Sequence, residues 1–148
     1  MSAPGPADSD VDRVLWSLRA YDTVALATAG ESAPHVAAYF FAPERDRDGI
    51  RLLIAMPRDS RKLREIESDE RVGFMCYPGS AARWITGRGA ARPLLGETAA
   101  LELSARLLAH APDAHAFIEG SDVVGIELHV EHIEVVDALD TPPRVLDF

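Results

Sequence analysis

The residues that decide the fold run from position 123 to 136: Val123-Val124-Gly125-Ile126-Glu127-Leu128-His129-Val130-Glu131-His132-Ile133-Glu134-Val135-Val136. Ile126, Leu128 and Val130 keep the two-residue period of a strand with one buried face. Glu127, His129 and Glu131 fall on the opposite, wet face. After Val130 the phase slips, and Ile133 and Val135 carry the apolar set onward. A one-residue shift exchanges the two faces of a strand, so the slip requires a bulge or a break. Bulges of this kind help a sheet curl into a barrel.

Upstream of this strand the pattern predicts five more. Ala82 to Leu95 is a long strand, in which Gly87 and Gly89 mark a bend or a close backbone approach. Arg71 to Tyr77 is a strand. Ile50 to Met56 is nearly all apolar, as expected of a strand covered on both faces. Thr23 to Thr28 and Pro34 to Ala42 form a hairpin around the turn at 29–32. Within the second of these, Tyr39, Phe40 and Phe41 cannot share one face, so both faces must be dry. Pro43 to Gly49 reads as a charged loop. Helical spacing appears at Val11, Val14, Leu15 and Leu18 behind a cap at Asp8 to Asp10, and again over Ser60 to Ser68 with Leu63 and Ile66 inward. Glu97 to His110 is a third helix, and Pro112 to Phe117 a short turn of a fourth. Six strands and a few helices make one domain over 10–140, a small closed or nearly closed barrel. Residues 1–9 read as a disordered arm and 141–148 as a C-terminal tail.

Composition excludes several classes. The 148 residues carry 15 Lys plus Arg against 24 Asp plus Glu, a net charge of −9. That balance argues against nucleic acid and anionic membranes as partners. No segment reaches the ~20 apolar residues of a membrane span, and the first ten residues lack the basic and apolar parts of a signal peptide. A single cysteine, Cys76, cannot make an internal disulfide and excludes a cysteine-ligated metal site. It lies in an apolar strand and reads as an inert core thiol. The expected compartment is the cytoplasm.

The chemistry concentrates in Met56-Pro57-Arg58-Asp59-Ser60-Arg61-Lys62-Leu63. An apolar strand ends here and a helix begins, with Asp59 or Ser60 as its cap. Arg58, Arg61 and Lys62 crowd the helix N-terminus, where the dipole already disfavours cations. A phosphate explains them, because backbone N–H groups, a hydroxyl and basic side chains would converge on one anion. The competing reading is a basic helix face paired with Glu65, Glu67 and Asp69. Trp84 could stack near a planar cofactor or simply pack, and His35 opens its strand toward water or a ligand. The alternating Glu and His of 127–134 read as the wet face of a strand, with no metal site. No Ser-His-Asp order, Gly-rich dinucleotide fingerprint or paired carboxylates appear, so no catalytic residue can be named.

Taken together, four features resemble the pyridoxamine 5′-phosphate oxidase-like, FMN-binding split-barrel family. They are Pro34-His35-Val36-Ala37-Ala38 after a strand and turn, Ser60-Arg61-Lys62 opening a helix, Asp69-Glu70-Arg71-Val72 leading into a strand, and Arg83-Trp84 followed by Gly87 to Ala91. The resemblance covers roughly residues 10–95. It implies a mainly β fold with flanking helices (α+β), a six-stranded antiparallel split β-barrel. It implies that Arg61 and Lys62 hold a cofactor phosphate with help from Ser60, that Ala55 and Met56 lie along the cofactor through their backbone, and that His35, Val36, Ala37 and Ala38 flank the ring. Trp84 stands where the family's oxidases carry a Gln facing the flavin. The implied protein is a cytoplasmic, homodimeric flavoprotein, an FMN-dependent oxidoreductase that moves a hydride or two electrons to or from a small molecule. The C-terminal groups of the true vitamin oxidases have no counterpart here, so pyridoxal phosphate synthesis is not implied. The Arg-Trp pair also resembles a branch that uses the deazaflavin coenzyme F-420. A non-catalytic flavin- or heme-binding module is a further alternative.

Overall fold

The computed structural model describes residues 3, 9–30, 33–79, 82–120 and 122–148. The expected arm at 1–9 falls largely outside them, as do residues 31 and 32 of the expected turn at 29–32. Ser9 is inside, and it caps the first helix, α1 (Asp10–Leu18), in a reciprocal capping box with Asp12. This removes two orphan N–H groups at the helix start.

The strands are β1 (Thr23–Thr28), β2 (His35–Asp46), β3 (Gly49–Pro57), β4 (Arg71–Cys76), β5 (Trp84–Pro93), β6 (Val123–Val136) and β7 (Arg144–Asp147). Between them lie α2 (Arg61–Ser68), α3 (Glu97–His110), a 3₁₀ turn over Pro112–Ala114 and α4 (His115–Glu119). The pairing order is β3-β2-β1-β4-β5-β6, and β6 returns to β3, which closes a six-stranded antiparallel barrel. This is the architecture the sequence predicts.

The phase slip in β6 is the point where the strand changes neighbours. Arg88 faces His132 and Gly89 faces Val130, so Glu131 is the extra residue of a bulge. On its other edge β6 pairs with β3 as far as His129 and with β7 from His132 onward. Gly87 and Gly89 are required by the closeness of β5 to β6. A Cβ on Gly87 would stand 2.5 Å from the His132 carbonyl oxygen and from the Phe74 ring, and one on Gly89 would collide with the His129 carbonyl.

The barrel interior holds Leu26, Phe41, Leu52, Ile54, Met56, Ile126, Leu128, Ile133 and Val135. Val14, Leu15 and Leu18 of α1 and Leu63 and Ile66 of α2 pack into the same interior. A second, smaller cluster lies outside the barrel, where Ala42, Leu53 and Ala55 meet Leu103 and Leu107 of α3. Hence β3 is dry on both faces.

Two expectations are corrected. Residues 43–46, read as loop, extend β2, and only Arg47 and Asp48 form the turn, Arg47 with φ 54°. Their charges lie outside the barrel, where Glu44 bonds Arg51 and Arg45 bonds Asp12 of α1. Pro43 is tolerated because β2 has passed the end of β1 and keeps one open edge. The tail is not all tail either. Residues 144–147 form β7, with Leu146 packed against the barrel core.

Candidate functional site at the barrel seam

The barrel is complete in pairing but uneven in its walls. β2 pairs with β3 only from Phe41–Ile54 to Asp46–Gly49. Before Phe41, β2 follows β1; beyond Ile54, β3 follows β6. The two strands part, and a cavity of about 500 Å³ opens where they do, lined by Thr23, Ala38, Tyr39, Phe40, Pro57, Ser60 and Phe117. Small-molecule sites typically span ~300–1,000 Å³ with mostly apolar walls.

The start of α2 borders this cavity. Ser60 is its N-cap and accepts the Leu63 N–H at 3.2 Å. Lys62 turns inward and is 1% exposed. Its Nζ donates to the Thr28 hydroxyl at 3.0 Å and to the His35 carbonyl at 2.6 Å. Glu65, one turn on, is also buried. Its Oε2 accepts from the Thr28 hydroxyl at 2.5 Å, lies 3.2 Å from His35 Nδ1 and is 3.8 Å from Lys62 Nζ. Its Oε1 accepts from Arg61 Nε at 2.6 Å. The Thr28 hydroxyl, ahead of Arg61 and His35, holds the Glu65 carboxyl down at about 2. Burial lowers the Lys62 pKa. Arg61, Lys62 and Glu65 together carry one positive charge in excess.

Tyr39 lines the same cavity and is half-buried. Burial first, and the nearby Glu65 charge second, raise its pKa, so the phenol stays protonated at neutral pH.

The residues predicted to act together separate into groups. Ser60, Arg61, Lys62 and His35 meet at the α2 start. Arg58 does not join them: its Nε bonds Asp122 at 3.0 and 3.1 Å, and it faces a different cavity, between α2 and α3. Ala55 and Met56 are buried, with their ladder to β6 on one edge and the strand edge that β2 has left on the other. The alternation of β2 divides the four expected ring neighbours. His35 and Ala37 are half-buried, whereas Val36 and Ala38 are exposed on the outer face. Trp84 is far from the groups at the α2 start within one chain. Register places it five rungs from Gly89, whose row runs through Val72 to Thr28, a separation of roughly 16 Å at ~3.3 Å per residue.

Thr28, Tyr39 and Phe117 are site residues the sequence reading did not assign; Glu65 it gave as the pairing partner of the basic helix face, and Arg61 and Lys62 do pair with it. Glu65 carried a usable signal: positions 62, 65 and 66 share the helix face that buries Ile66. Cys76 is buried as expected, and burial pushes its thiol up to about 12. No group of residues suited to a metal ion occurs among the described residues.

The outer face of the sheet beside the cavity is largely apolar over three strands. By register it presents Val36, Ala38 and Phe40 on β2, Thr23, Ala25 and Ala27 on β1, and Gly73 and Met75 on β4, with Arg71 at the start of the β4 row. Val36 is 63% exposed and Met75 39%.

A family model described as pyridoxamine 5′-phosphate oxidase matches residues 14–137. The chain belongs to the pyridoxamine 5′-phosphate oxidase family. No curated protein matches the sequence significantly. Among solved structures, a heme binding protein from Mycobacterium smegmatis superposes with a TM-score of 0.73 at 16% identity, over 97% of this chain and 60% of that one. General Stress Protein 26 from Bacillus anthracis gives 0.65 at 20%, over 94% and 96%. HutZ, the heme storage protein from Vibrio cholerae, gives 0.65 at 17%, over 86% and 96%. Identities this low establish the split-barrel fold and nothing finer. The described residues include no helix long and apolar enough to cross a membrane.

Proposed function

We propose that this member of the family is a homodimeric, FMN-dependent oxidoreductase acting on a small molecule, with the cofactor in the seam between β2 and β3. The observation that carries the reading is the meeting of an apolar cavity of about 500 Å³ with a helix start bearing Arg61 and one excess positive charge. A planar ring with a phosphate tail fits both halves. Bound FMN would supply two-electron or hydride chemistry at its ring. The chain's residues bind, orient and exclude water. Arg61, half-exposed, and the N–H groups of Arg61 and Lys62 at the start of α2 would hold its phosphate. Phe40 and Phe117 would cover its apolar body, and the Tyr39 phenol would offer a donor.

The largely apolar outer face of β2, β1 and β4 supports the dimer. In a chain where 26% of residues are charged, so broad an apolar surface fits a self-complementary partner, a second copy of this chain. The deazaflavin coenzyme F-420 presents the same phosphate and tricyclic ring and remains the alternative cofactor.

A second reading, a heme-binding module, is favoured by heme proteins among the structural neighbours and by His35. Its Nδ1 rests on Glu65, which leaves Nε2 without a partner among the described residues. That is how a ligating histidine is commonly oriented. The absorbance spectrum of protein purified from its native host tests both. A flavin or deazaflavin band supports the proposal, and a Soret band with no flavin overturns it. Light scattering at micromolar concentration tests the dimer, which a monomer mass would contradict.

A further inference from the structure

The groups that would clasp a phosphate at the α2 start are already gathered on an anion, and that anion belongs to the chain. Glu65 takes the Thr28 hydroxyl at 2.5 Å, Arg61 Nε at 2.6 Å and His35 Nδ1 at 3.2 Å, with Lys62 Nζ at 3.8 Å. Three donors, one each from β1, β2 and α2, converge on one carboxylate that is itself buried, with the Lys62 ammonium beside it. Such convergence is what a phosphate monoester requires, since its oxygens also accept several charge-assisted bonds at this spacing. A helix of this composition does not need it. Its other acidic residues, Glu67 and the following Asp69, lie elsewhere, Asp69 bonding Arg71.

We infer that Glu65 is a resident competitor for the phosphate of the cofactor: it holds the cationic cluster in the ligand-free protein and must yield Arg61 when a phosphate binds. This deepens the FMN reading and rests on it. The physical logic is one of matched anions. Without a ligand, Lys62 and Arg61 would be a buried cation and a half-buried one with no counter-charge, which is costly. Glu65 removes that cost in the empty state. The same carboxylate then opposes the incoming phosphate, both by occupying Arg61 and by like charge. The site is thereby set to favour ligands whose apolar ring contributes enough binding in the seam to displace it. It should disfavour free phosphate, which brings no ring. Lys62 need not move, because its ammonium is held by Thr28 and the His35 carbonyl as well as by Glu65.

The test is titration of the full chain and Glu65→Gln with FMN, riboflavin and inorganic phosphate, with thermal melting in phosphate-free buffer. The expected result is about tenfold tighter FMN binding by Glu65→Gln, since releasing one charge-assisted contact is worth about one decade. Riboflavin affinity should be unchanged. The variant should melt lower than the wild type without ligand and gain more from inorganic phosphate. FMN affinity equal to or below wild type, with FMN still bound by both, would overturn the competitor role and leave the cofactor reading standing. FMN binding by neither protein would overturn both. If Glu65→Gln fails to fold, Glu65→Asp draws the carboxylate back while keeping its charge, and tighter FMN binding is again expected. Failure of both variants to fold would make Glu65 a structural ion-pair partner only and overturn the inference.

Discussion

Where β6 runs between β3 and β5, the barrel wall is held by two continuous ladders and, on its inner face, by side chains without charge; where β2 and β3 part, it is held by a lysine, a glutamate, a threonine and a histidine. The first region tolerates almost no change in volume. Leu52, Ile54, Ile126 and Leu128 are fully buried, and β5 approaches so closely that Gly87 and Gly89 leave no room for a methyl group. The second region encloses polar groups whose stability depends on being satisfied together. A seam of this kind is a costly way to close a sheet. Its presence beside a cavity is what a site requires and what a purely structural wall does without. The difference separates packing from function in this fold.

The comparison is easiest to break at the closed wall. Gly89→Ala should give the largest effect, because a Cβ there meets the His129 carbonyl and the strand pair has to separate. Loss of a cooperative melting transition is the expected outcome, and a wild-type transition would show that the wall is looser than described. Leu52→Ala, a cavity without a backbone clash, should cost ~2–5 kcal/mol by chemical denaturation.

The seam should respond differently. Lys62→Ala removes a buried cation from Glu65, Thr28 and the His35 carbonyl and should cost about 3 kcal/mol. Lys62→Met combined with Glu65→Leu replaces the pair by apolar bulk, and its stability should return to within ~1 kcal/mol of wild type. A double variant as unstable as Lys62→Ala would show that the ion pair is itself the mortar of the seam.

Acid provides a milder probe. Glu65 is held at about 2 against an ordinary 4.5. A depressed carboxyl contributes stability that is complete above 4.5 and is lost as pH falls toward 2. The denaturation midpoints of wild type and Glu65→Gln should therefore converge as pH falls from 5 to 2.5. A gap independent of pH would remove the ionised carboxylate from the account.

The smallest effect lies at β7, on the closed side. His132 Nδ1 lies 2.6 Å from an Asp147 oxygen and Nε2 3.2 Å from Glu134. Both nitrogens can donate only in the imidazolium. Asp147 first, then Glu134, raise its pKa, so this support is complete below pH 6.5 and fades as pH rises through the folded-state value. Amide protection of Val145 and Leu146 should drop across that range and be flat in His132→Gln.

Most of the fold was legible because it rests on local period. The slip between Val130 and Ile133 foretold the bulge, and the two-sided apolar run of β3 foretold its double burial. Residues 43–46 were misread because a strand with one wet face can carry a loop's composition. The short β7 was missed because four residues hold too little period. The site was legible only as residue types. Ser60, Arg61, Lys62 and His35 do meet, but sequence spacing says nothing about direction. It placed Arg58 with them, although that side chain turns to Asp122, and it gave Glu65 only as a pairing partner on the helix face, since its burial emerges only when β1 and β2 bring Thr28 and His35 to it. Trp84 shows the same limit, since sequence order puts it near the motif and strand register puts it far away.

The central claim is that the seam binds an anionic, ring-bearing cofactor through the start of α2. Calorimetric titration of wild type and Arg61→Ala with FMN and riboflavin tests it most directly. A charge-assisted bond is worth ~1.5–3 kcal/mol, so Arg61→Ala should bind FMN roughly 10- to 100-fold more weakly. Riboflavin, which lacks the phosphate, should bind wild type more weakly than FMN and be indifferent to the substitution. Equal FMN affinity in the two proteins, or equal affinity of wild type for FMN and riboflavin, would contradict the account.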